Sequence, residues 1–135
     1  MPIAAFVASL LAMAVIDGVW LAVVARNFYR SNIGHLLADS TNWIAAVAFY
    51  LIYVAGVTFF ATQPGIDDGS PLTAAWRGAL LGFFAYATYD LTNQATLRGW
   101  PPLVTVVDMA WGAILTAAVA GVAAWVVLSF FAGAG

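Results

Sequence analysis

Of its 135 residues the chain gives 64% to hydrophobic side chains and 7% to charged ones, where soluble domains carry about 45–50% and roughly 25%. So few charges cannot cover a water-soluble surface, and a net charge of -2 excludes a basic face for nucleic acid. Without cysteine there is no disulfide, no thiolate zinc site and no cysteine nucleophile.

A membrane-spanning helix needs about 20 mostly apolar residues. Four segments supply them, at 3–24, 43–62, 73–97 and 103–131. The first is interrupted only by Ser9 and Asp17. Its apolar run is too long for a signal core and follows no basic stretch, so it reads as a retained helix. Residues 26–41 then mix Arg26, Tyr29, Arg30, Asn32, His35 and Asp39 with Phe28, Ile33, Leu36 and Leu37, a pattern that suits a short amphipathic segment at the interface. The second span carries no charge. Residues 63–71 are turn-rich and acidic at Asp67 and Asp68. The third span has Arg77 near one end and Asp90 near the other. The corner Arg98-Gly99-Trp100-Pro101-Pro102 ends it and starts the fourth, which carries Asp108 in its early turns. The expected fold is all-α, an integral membrane four-helix bundle forming one domain, with the lipid bilayer as its partner.

Loop charge sets the expected orientation. The first and third loops share a side and carry Arg26, Arg30 and Arg98, whereas Arg77 is the one basic residue near the opposite loop. Basic loops stay in the cytoplasm, which puts both termini of this multi-pass chain outside.

Three aspartates fall inside spans, and one charge at a helix centre costs about 2.5–3.5 kcal/mol on insertion scales. Asp17 lies seven residues before Val24, Asp90 eight before Arg98 and Asp108 six after Pro102. Each is therefore about 9–12 Å from the end of its helix, and those ends share one side. Three carboxyls can meet in one layer. Tyr86, Tyr89, Asp90 and Asn93 share a face of the third helix. Asp17 and Trp20, and again Asp108 and Trp111, stand three apart. Trp and Tyr are suitable donors to a carboxylate in a dry place. The bland reading is interhelical glue, at about 0.6 kcal/mol per bond. The functional one, the default for intramembrane ionisable residues, is a site. Spacings of four in small residues, at Gly78 and Gly82 or at Gly112, Thr116 and Ala120, permit close helix approach.

Around this layer, Asp90 is the expected acid or base, Asp17 and Asp108 its partners, and Trp20, Trp111, Tyr86 and Tyr89 the pocket wall, with Asn93 beside them. Arg98 and Trp100 cap the layer, as a headgroup clamp or as an interfacial anchor. His35, the single histidine, is a further acid/base candidate. It excludes a three-histidine zinc site, while oxygen ligands leave Mg²⁺ or Mn²⁺ open. The metal and any cofactor stay unassigned. Phe49, Tyr50 and Tyr53 offer an aromatic wall on the second helix.

The segments Asp17-Gly18-Val19-Trp20-Leu21, Phe49-Tyr50-Leu51-Ile52-Tyr53, Tyr86 to Asn93, Leu97-Arg98-Gly99-Trp100-Pro101 and Asp108-Met109-Ala110-Trp111-Gly112 together resemble, in order, a bacterial membrane family catalogued as domain of unknown function 2177. The resemblance implies a four-span bacterial inner-membrane protein and no assigned activity. Three function classes follow. The first is a small enzyme acting on a lipid or isoprenoid-like substrate at the Asp layer. The second is a proton-coupled carrier of a small-molecule ligand, as a homodimer. The third is a non-catalytic subunit that binds a membrane-complex partner.

Overall fold

A computed structural model describes residues 2–131. Among them the secondary structure is helical, without a strand. Four helices follow one another: α1 (Pro2–Leu36), α2 (Trp43–Asp67), α3 (Pro71–Thr96) and α4 (Pro102–Phe130). Three of them, α1, α2 and α4, are long and apolar enough to cross a membrane. The third is as long, but Thr88, Asp90, Thr92, Asn93, Gln94 and Thr96 make its C-terminal half polar. Length and composition alone do not qualify it as a span.

The surface follows lipid rather than water. Ile3, Leu11, Val15, Ile44, Ile52, Phe59 and Leu72 are exposed, while Ser9, Thr62, Asp90 and Thr116 are buried. In lipid both faces of a helix are apolar. What separates inside from outside is then size and hydrogen bonding, and small or bonded side chains face the neighbours. At the α3–α4 contact, a Cβ on Gly78 would meet the Thr116 backbone, and one on Gly82 would meet the Gly112 carbonyl oxygen. The small-residue spacing read in the sequence thus lies in the contact itself. Met13, Val54, Val57, Leu115 and Val119 fill the core between α1, α2 and α4.

Two helices run further than the sequence reading set them. The segment expected to lie separately at the interface is the helical continuation of α1, joined through a π-helical stretch at Trp20–Ala25 and ending in a 3-10 turn at Gly34–Leu36. Nothing before Gly34 breaks the helix. The wide turn re-aims its face, so that Phe28, Tyr29 and Ile33 pack against Trp100 and Val104. Likewise α2 passes through a second π stretch, Thr58–Thr62, and continues to Asp67. Pro64 should stop it, because proline has no N–H for the Phe60 carbonyl. The Arg77 Nε–H supplies that bond instead, at 2.8 Å, which also gives this charge a structural task. Two helix starts are capped by side chains. The Asn42 side chain accepts from Ala45 N at 3.1 Å, and Ser70 Oγ from Thr73 N at 3.1 Å. The turns at Gly69 and Gly99 have φ of +65° and +75°, left-handed values that favour glycine.

Near the Pro64 end of α2, Ser9 Oγ and Thr62 Oγ1, both buried, share a hydrogen bond of 2.9 Å. Ser9→Ala is expected to cost only about 0.6–1.7 kcal/mol, the range for hydrogen bonds between membrane helices. Thermal melting in detergent checks this. An unfolded Ser9→Ala protein would mean that this contact holds the bundle together.

Candidate functional site

The other end of the bundle gathers the aspartates. Asp17 lies one turn of α1 beyond Met13, in a buried row that steps by four from Ala5. Its Oδ2 accepts from the Tyr50 hydroxyl of α2 at 2.6 Å. Asp108, in the second turn of α4, accepts through Oδ1 from the Tyr29 hydroxyl. The two Trp that follow these aspartates at a spacing of three face one another. Trp20 and Trp111 stack with centroids 4.2 Å apart and planes 11° from parallel. The repeated Asp-x-x-Trp thus joins α1 to α4 by a paired-indole wall.

Between these groups lies a chamber of about 310 Å³, lined by Asp17, Asp108, Trp20, Trp111, Tyr29 and Tyr86, among others. Against it opens a second, apolar cleft of about 370 Å³ walled by Phe49, Tyr53 and Ala85. Tyr86, Tyr89 and Asp108 line both. Tyr86 is seated against Gly112, where a Cβ would collide with its ring. Tyr53 bonds Thr116 Oγ1 through its hydroxyl at 2.8 Å.

Asp90 stands behind this wall. It is fully buried, neighbours Asp108, and leaves both carboxylate oxygens without a hydrogen-bond partner. Its backbone carbonyl accepts from Thr105 Oγ1, which in turn accepts from Trp100 Nε1 at 3.1 Å. Trp100 therefore caps the layer from inside the protein, with Tyr89 edge-on to it at 5.8 Å. The Trp111 indole N–H is also buried and unpartnered.

The aspartates expected in one layer are thus together: Asp17 and Asp108 on the chamber wall, and Asp90 next to Asp108. Trp20, Trp111, Tyr86 and Tyr89 line the chamber as well. Three other sequence candidates do not reach it. Asn93 lies a turn further along α3, Arg98 is exposed on the corner, and His35 is exposed with its Nε2 near Gly99. Among the described residues no group of three or more His, Asp or Glu side chains is arranged to hold a metal ion. Two partners of the aspartates are not evident from the sequence, which puts Tyr29 on an interfacial segment and Tyr50 in an aromatic wall. A signal existed for Tyr29, because Ala25, Tyr29 and Ile33 repeat the spacing of four set by Ala5, Ser9, Met13 and Asp17.

The model of a family described as predicted membrane protein (DUF2177) matches residues 2–125. No curated protein and no solved structure matches the chain.

Proposed function

Since the chain belongs to the predicted membrane protein family DUF2177, we propose that it works within the bilayer as a small enzyme, transferring protons on a lipid or isoprenoid-like substrate. One observation carries the reading: a carboxylate-bearing chamber and an apolar cleft share Tyr86, Tyr89 and Asp108 as a common wall. Ligand sites are mostly apolar concavities with a few convergent polar groups. An amphiphile fits this pair of spaces with its chain in the cleft and its reacting end against Asp108. Asp108 is then the acid or base in contact with substrate, a role the sequence reading gave to Asp90. Asp90 stands behind it as the second carboxyl, and Tyr29 holds Asp108 in place by its hydroxyl. Asp17, held by Tyr50, is the opposing carboxyl. The positive-inside rule, applied to Arg26, Arg30 and Arg98 at this end, supports a cytoplasmic side of a bacterial inner membrane for the layer.

The test is an untargeted lipid profile of a deletion strain complemented with wild type or with Asp108→Asn, at equal membrane levels of both proteins. A lipid species restored by wild type and absent with Asp108→Asn is the expected result. Full restoration by the variant would leave the carboxyl as packing and remove proton transfer from the account.

A further inference from the structure

The chamber wall has an unusual chemistry. Three Trp (Trp20, Trp100, Trp111) and three Tyr (Tyr29, Tyr86, Tyr89) supply its rings, Asp17 and Asp108 its charged groups, and no Arg, Lys or His reaches it. Arg26, Arg30 and Arg98 are exposed and outside it. A phosphate or carboxylate head without its own ammonium would meet two carboxyls with no cation to set against them, whereas a zwitterionic head brings that cation with it. A cation would meet ring faces, whose quadrupoles attract it, together with opposite charge in a poorly hydrated place.

We propose that the chamber is a receptor site for an organic cation, the ammonium or quaternary ammonium head of an amphiphile whose chain occupies the adjoining cleft. This rests on the chamber being the substrate site and names the class of head it accepts. The parts have separate tasks. Tyr50 holds Asp17 through Oδ2, so that carboxyl keeps its other oxygen for the guest, and Tyr29 fixes Asp108 on the facing wall through Oδ1. The stacked Trp20 and Trp111 form a flat, rigid face for the cation. An ethanolamine-headed lipid and a free long-chain amine both present this chemistry.

Purified full-length protein in dodecylmaltoside, a neutral micelle, is titrated with dodecyltrimethylammonium, with dodecanol and with dodecyl sulfate, following tryptophan fluorescence. The cation is expected to bind about tenfold or more tighter than the alcohol, the scale of a desolvated cation–π contact, and the sulfate to bind weakest. Asp17→Asn, nearly isosteric, should lose about tenfold for the cation and nothing for dodecanol. Asp67→Asn, at the far end, should bind as wild type. Equal binding of the three probes, or an Asp17→Asn protein that binds the cation as wild type does, overturns the proposal. Displacement of the probe by phosphatidylethanolamine identifies a lipid headgroup as the source. Displacement by dodecylamine alone identifies a free amine, and displacement by neither also overturns it. Cation binding with an unchanged lipid profile in the deletion strain keeps the site and removes the chemistry. A lipid change without cation binding does the reverse.

Discussion

Gly82→Ala is expected to loosen the bundle by about 1–3 kcal/mol, the usual cost of forcing extra atoms into a packed contact. A Cβ at this position would fall on the Gly112 carbonyl oxygen and on Thr116 Oγ1, closer than real Cβ atoms come. The carbonyl is backbone and cannot swing away, so α3 must move off α4. Since Tyr86 rests on the same Gly112, the shift carries Tyr86 and Tyr89 with it and opens the wall common to both cavities. The matched control is Gly18→Ala on α1, where the added methyl meets nothing within 4 Å. There the helix gains about 0.8–1.0 kcal/mol of propensity. Melting of both variants in detergent should therefore move in opposite directions from the same chemical change. A Gly82→Ala protein as stable as wild type would mean that α3 and α4 do not meet at these glycines.

Asp90→Asn should move in the direction opposite to Gly82→Ala. A buried polar group without a partner costs about 1–3 kcal/mol, more when charged, and both Asp90 oxygens are in that state. An amide of the same shape keeps an acceptor and gives a permanent donor next to Asp108, and it can no longer take up or release a proton. The expected result is a higher melting temperature together with weaker complementation of the deletion strain. That pairing is hard to obtain from packing alone, because a side chain retained for stability loses stability when it is changed. A lower melting temperature would mean that Asp90 has a partner holding it.

Much of the layer's membership was legible, for a physical reason. Depth in a helix is counted by residues, so the distances of Asp17, Asp90 and Asp108 from their helix ends fixed a common level before any packing was known. Rotation about each helix is not counted that way. Asp90 lies behind the wall rather than in the chamber lining, and Arg98 and His35 lie on the same side of the bundle but stay outside. The π stretches mattered most. At Trp20–Ala25 the wide turn shifts the following face, which hid Tyr29 although its spacing from Ala25 and Ile33 was visible. The turn-rich stretch 63–71 reads as a loop, but the helix continues to Asp67, because Arg77, distant in sequence, supplies the donor that Pro64 lacks. The cavities were not legible at all. They arise from side chains on all four helices, and no one segment encodes a void.

The two ends of the bundle differ in how completely their polar groups are matched. At the Thr62 end, Ser9 and Thr62 bond each other and Arg77 takes the carbonyl that Pro64 leaves free, which leaves Gln63 Oε1 unpartnered. At the Asp end, Asp90 and the Trp111 N–H have no partner. Each end is closed by hydrogen bonds between helices, Ser9 with Thr62 at one and Tyr50 with Asp17 and Tyr29 with Asp108 at the other. Only at the Asp end do unmet groups lie beside a chamber. There the bundle is built like the jaws of tongs, with contacts to gain when a guest arrives between them.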